Sequence, residues 1–223
     1  MASMKTTLSM ISLALAAAAA CAQTPNLEPL PLSLPKPLFE GTPQNLKVPN
    51  LEKPTGKMRP AFLAPSGTLN VARGKPVSSS ASETSVGEFE MLTDGEKSGL
   101  DGTYVELPPG IQSVTIDLKE RCTIYAIALW HFHKQARVYF DVIVQVTDDP
   151  DFLTNVRTLF NNDHDNTAGL GAGKDLNYVE TAEGRLIDAK GVIARYVRLW
   201  SNGNNINALN HYVEVEVYGK PAH

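Results

Sequence analysis

At 223 residues the chain has room for one ordinary domain with accessories, and a hydrophobic content of 43% is enough for a packed core. A formal net charge of -4 and a sequence pI near 5.7 exclude a broad cationic surface, so neither nucleic acid nor anionic lipid is an expected partner.

Residues 1–22 read as an export signal: Lys5 precedes an apolar run from Leu8 to Ala20 that is too short for a membrane-spanning helix, so no transmembrane span is expected. Two cleavage patterns coexist. Ala20-Cys21-Ala22 before Gln23 fits an ordinary signal peptidase, whereas Ala18-Ala19-Ala20-Cys21 is similar to a lipoprotein box that would make Cys21 a lipid anchor. The Leu usual three residues before such a cysteine is absent, which favours a soluble secreted or periplasmic product over an envelope-anchored lipoprotein. Either route leaves Cys122 as the one internal cysteine, with no intradomain disulfide, and a buried small side chain in a strand is its expected role.

Residues 23–66 hold ten of the fifteen prolines, from Pro25 to Pro65. That density opposes helix and sheet ladders and favours extended polyproline II, so the segment is expected to be a disordered or semi-rigid linker.

The folded domain is expected over 67–219, with 220–223 as a tail. Val114 to Leu118, Val156 to Phe160, Ala194 to Trp200 and Tyr212 to Tyr218 read as strands. In the last of these Val213, Val215 and Val217 alternate with Glu214 and Glu216, which places the glutamates on a polar face. The stretch from Ile124 to Thr147 reads as a hairpin whose polar turn carries His131, His133, Lys134 and Arg137. Its first run is apolar on both faces, as a central strand of a sandwich requires. Many short strands separated by Gly, Asn and Asp turns predict an all-β antiparallel sandwich or barrel.

Six landmarks in order carry a family resemblance: Asn70-Val71-Ala72 with Gly74-Lys75-Pro76-Val77, Leu92-Thr93-Asp94-Gly95, Ile116-Asp117-Leu118, Ile127 to Trp130, Ala194-Arg195-Tyr196-Val197-Arg198, and Val213 to Gly219. This order resembles the coagulation factor 5/8 type C, or discoidin, domain. The tryptophan common after the Asp-Gly landmark is missing, and Tyr104 is the nearest aromatic. The resemblance implies a galactose-binding-like jelly roll acting as a non-catalytic binding module, with carbohydrate bound by loops at one end of the sandwich. A protein-interaction or structural module of the envelope is the alternative. Sugar recognition needs planar polar groups and an aromatic face. The residues available for it are His131, His133, Arg137, Asn161, Asn162, His164, Asn202 and Asn204, with Trp200 or Phe160 as platforms. The resemblance also implies a structural Ca²⁺ at Asp94 and Glu214, to which Asp101 adds a third carboxylate.

The loop from Asn161 to Asp175 contains near-motifs that fail. Asp163 and Asp165 are spaced as in an EF-hand, but Gly169 falls one place late; Gly171-Ala172-Gly173-Lys174 lacks the first glycine and the Ser or Thr of a phosphate loop. A binding loop or a plain connector is expected there. His131-x-His133 with His164 and Asp163 suggests a metal centre, yet Lys134 and Arg137 stand where a cupin-like site wants a glutamate. Without a nucleophile elbow or an HExxH motif, no enzyme activity is expected.

Overall fold

The computed structural model describes residues 26–39 and 46–222. The export segment and Cys21 lie outside the described residues.

Among the described residues ten strands follow one another: β1 (Leu27–Pro29), β2 (Leu63–Pro65), β3 (Leu69–Asn70), β4 (Val77–Ser79), β5 (Val105–Leu107), β6 (Gln112–His131), β7 (Ile143–Thr147), β8 (Arg157–Asn161), β9 (Arg185–Ser201) and β10 (Asn210–Pro221). All strand pairings are antiparallel, and the long strands β6 and β9 run side by side from Gln112↔Ser201 to Leu129↔Arg185. Their pairing is interrupted between Asp117 and Cys122, where Lys119 takes a left-handed φ of 70°. This break divides the assembly. Before it, β6 lies between β4 and β9, with β7 and β8 beyond; after it, β6 lies between β10 and β9. Val114, Ile116 and Leu118 from one half share a core with Ile124, Ile127 and Leu129 from the other, and Val144, Leu199, Val215 and Val217 fill it. The fold is a jelly-roll β-sandwich.

The expected hairpin does not form. β7 pairs with β8 and β9, never with β6, because residues 132–142 cross from one half of the sandwich to the other. Residues 138–142 form a loop in which Asp141 takes a φ of 51° and only Tyr139 forms a bridge, to Asn204.

A register shift between Tyr212 and Glu214 turns Val213 away from Val215 and Val217, onto the outer face of the sheet. There it joins Ala126, Ala128, Trp130 and Tyr218 in a second apolar cluster. The Pro-rich segment, expected as a free linker, covers this face. Leu30, Leu32 and Phe62 pack on the cluster, β1 pairs with β2, and Leu30 N–H donates to Phe62 O at 2.9 Å. Proline does not prevent the docking, since the arm needs few ladder bonds and presents Leu and Phe between its prolines. Leu51 bridges Asn177, and Lys97 Nζ donates to Ser33 Oγ at 3.2 Å.

Replacing Phe62 or Leu32 with Ala is expected to lower the unfolding free energy by ~1–2 kcal/mol each, read from urea denaturation. Midpoints indistinguishable from wild type would detach the arm from the fold.

Candidate functional site

The candidate side chains divide by burial. His131 and His133 are fully buried, not presented at a turn. His131 Nδ1 lies 2.6 Å from Glu180 Oε1, and its ring stacks on Tyr139 at 4.3 Å. His133 Nε2–H donates to the Lys97 carbonyl at 2.9 Å. Arg137 is buried over the Phe132 ring, 4.4 Å from its centroid, with Nη1 against the His211 ring. His131 and Arg137 belong to an internal polar network and His133 makes a separate buried contact, which corrects the placement of all three at a ligand-binding turn. Sequence alone did not find Glu180 or His211, which lie 49 and 74 residues from the groups they meet.

Asn161 is also consumed by structure. Its amide donates to Gly171 O at 2.8 Å, and its carbonyl accepts from Asp163 N–H at 2.8 Å. Asp163 accepts from Thr167 and Ala168 N–H, so the 161–175 loop is held by its own side chains. At Gly173 an added Cβ would meet Asn161 O at 2.2 Å, so only glycine fits this closure. Phe160 lies in the core, and Trp200 is half-buried with its indole N–H on Gln145.

His164 and Asn202 are half-buried, and both lie near Asp141. Three loops converge at this end of the sandwich. Val142 N–H donates to Asn162 Oδ1 at 2.6 Å, Val138 N–H to Asn205 Oδ1 at 2.8 Å, and Asn202 Nδ2 to Asp141 Oδ2 at 2.8 Å. The carboxylates of Asp141, Asp163 and Asp165 lie within 4.8 Å of one another. Burial raises the Asp141 carboxyl; the Asn202 hydrogen bond opposes this, Asp163 and Asp165 add to it, and nearby His164 opposes it. Half-buried Phe140 adjoins the cluster. The Asn202 amide, the His164 imidazole and the Asp141 and Asp165 carboxylates thus lie at one end of the sandwich, next in the chain to Phe140.

The expected cation residues also divide. Glu214 is fully buried rather than on a solvated face, as is its neighbour Glu216, which pairs with Lys97 at 2.8 Å and accepts from Tyr218. Glu214 Oε2 accepts from Gly95 N–H at 3.0 Å, while Oε1 has no partner. Burial pushes this carboxyl up to about 9; the Gly95 N–H opposes the shift, Glu216 and Asp94 add to it, and Lys97 opposes it. Asp101 instead pairs with Lys134 at 3.1 Å on the surface. Among the described residues, Asp94, Asp101 and Glu214 do not form a three-carboxylate cluster.

A separate cleft of about 820 Å³ lies between the arm and residues 178–186. Among the described residues no helix is long and apolar enough to cross a membrane.

No protein-family model matches the chain, and no curated protein matches it. Solved structures do. A family 89 glycoside hydrolase from Clostridium perfringens aligns at 19% identity and TM-score 0.49 over 68% of this chain, which spans only 15% of that enzyme. A chitosan-binding module from a Paenibacillus sp. IK-5 chitosanase/glucanase aligns at 22% identity and TM-score 0.48, covering 67% of this chain and 98% of the module. A Clostridium perfringens CBM32 module in complex with GlcNAc-alpha-1,4-galactose aligns at 18% identity and TM-score 0.49, covering 70% and 96%.

The buried network has a measurable acid limit. Burial, with Arg137 and His131 adding to it, pulls the His211 imidazole from its ordinary 6.5 down to about 4. Between those values the unfolded chain binds more protons than the folded one, so stability falls as pH drops through that window. Urea midpoints are expected to decline from pH 6.5 towards 4, and His211→Gln to decline less steeply. Parallel profiles would remove His211 as the cause.

Proposed function

We propose that the chain is a non-catalytic carbohydrate-binding module, secreted or periplasmic, that recognises glycan through the loops at the Asp141 end of the sandwich. The observation that carries this reading is the meeting of Asp141, His164 and Asn202 from three separate loops. Sugar hydroxyls both donate and accept, and a carboxylate hydrogen-bonded to an amide, with an imidazole nearby, suits them; the adjacent Phe140 would supply a surface for the C–H face. His164→Ala and Asn202→Ala are each expected to weaken glycan-array retention about tenfold, roughly 1.4 kcal/mol, without changing the melting temperature. Retention unchanged in both variants would remove the site from this end. A folded protein that retains no glycan would favour docking to another protein.

A structural Ca²⁺ is the second part of the proposal. The unpartnered, buried Glu214 Oε1 fits a hard cation, and nearby Asp94 supplies a further carboxylate; Asp101, engaged by Lys134, is left out. Bound there, the ion would neutralise a carboxyl that burial otherwise disfavours in its charged form. EDTA is expected to lower the melting temperature of the wild type but not of Asp94→Ala. Without a cation, a Glu214 carboxyl raised from 4.5 to about 9 loses stability as pH rises between those values, so Glu214→Gln in EDTA should melt at or above wild type near neutral pH. A wild type indifferent to EDTA would discard the ion.

A further inference from the structure

The cleft between the arm and residues 178–186 is built from two separate parts of the chain. Its volume of about 820 Å³ falls within the range of small-ligand sites, about 300–1,000 Å³. Two guanidinium groups line it, and both are fixed. Arg59 donates through Nη1 to Gly184 O at 2.9 Å and through Nη2 to Glu183 O at 3.0 Å. Arg185 donates to Glu52 Oε2 at 2.8 Å and lies over the Tyr178 and Phe160 rings, at 4.7 and 5.0 Å from their centroids. Planar forks held in this way keep unused N–H donors in place before a ligand arrives.

The charge balance is unequal. Arg59, Arg185 and exposed Lys57 face two carboxylates, each already engaged: Glu52 by Arg185, and Glu183 by the Arg59 backbone N–H at 2.9 Å. Burial holds the Arg59 guanidinium below its ordinary range; Glu183 opposes that shift and Arg185 adds to it. Like charge across one cleft is a standing cost that a bound anion relieves. Tyr178 lines the cleft with its ring, while its hydroxyl is buried behind the wall near Glu180. Among the apolar groups, Met58, Pro54, Pro60 and Leu186 are interspersed with the hydroxyls of Thr55 and Thr181. A fatty acid would want an unbroken apolar wall; a ring with one hydroxyl edge and one C–H face suits the alternation.

We propose that this cleft is a second glycan site, selective for acidic sugars, in which a hexuronate carboxylate lies between Arg59 and Arg185 and the ring rests on Met58 and the proline wall. The sugar class rests on the glycan reading above, but the site, the charge selectivity and the residues are separate from the loop end.

The test is calorimetric titration of the full chain at low salt with trigalacturonate, trimannuronate, the neutral methyl ester of trigalacturonate, and triglutamate. At least one uronate is expected to bind, with the ester at least about tenfold weaker. Arg59→Gln and Arg185→Gln are expected to reduce uronate affinity about tenfold or more. Met58 is 74% exposed, so Met58→Glu can fold normally while placing a negative charge at the cleft, and a similar loss is expected from it. His164→Ala should leave uronate binding intact. Failure of both uronates, equal binding of the ester, full affinity in Met58→Glu, or triglutamate binding as tightly as the uronate would each overturn the proposal. Neutral glycans lost in His164→Ala with no uronate bound by wild type would keep the loop-end reading and remove this one; the converse result would do the opposite.

Discussion

β6 is apolar on both faces, and the architecture follows from covering both. Its inner face is satisfied within the sandwich, where Ile124, Ile127 and Leu129 meet the side chains of β7, β9 and β10. Its outer face carries Ala126, Ala128 and fully buried Trp130. Uncovered, this patch would be an association hazard. The arm removes it with three apolar side chains and few backbone bonds, and the loop before β9 closes the rest: Trp130 donates its indole N–H to Ala182 O at 3.0 Å. Gly184 sits so close that an added Cβ would meet the indole at 2.6 Å. The same loop therefore seals Trp130 on one side and lines the cleft on the other.

A second constraint comes from polar groups trapped by this packing. His131, Glu180, Arg137, Tyr139 and His211 form a chain of close contacts that ends at Glu106, 3.1 Å from His211 Nε2. Buried polar groups are costly unless paired, so such a network fixes which loops can meet. It ties the 132–142 loop to β10 and to the 177–184 segment, where Glu180 N–H also donates to Arg137 O at 2.8 Å. The imidazoles that look like ligand groups thus hold the loops.

Much of the fold was legible because periodicity survives without knowledge of partners. The stretches ending at Leu118, Trp200 and Tyr218 fall inside β6, β9 and β10, and Cys122 is buried in β6 as its size suggests. Pairing was not legible. Ile124 to Thr147 has two apolar runs and a polar turn, but nothing in it reveals that β9 lies between the two strands. Nor does alternation disclose what covers a face: Glu214 and Glu216 fall opposite Val215 and Val217, yet the 94–97 loop encloses both. Of the expected ligand residues, His164 and Asn202 lie near Asp141. Asp141 escaped notice because its left-handed backbone was hidden in an apparent strand.

The arm was the least legible part, and the reason is physical. Proline content reports what a segment cannot pair with, not what it can lie against. Fixed φ angles reduce the entropy lost on docking, so a proline-rich strand can lie on an apolar face with only a short two-stranded ladder to anchor it. The same stiffness suits a wall of a binding cleft, since less freedom is lost when a ligand arrives. Arg59 on the arm reaches the carbonyls of Glu183 and Gly184, and Glu52 on the arm holds Arg185. A ligand bridging those two guanidinium groups would favour the docked arm over any released one by its differential affinity. Cover of the Trp130 face and occupancy of the cleft would then be linked through one short segment of chain.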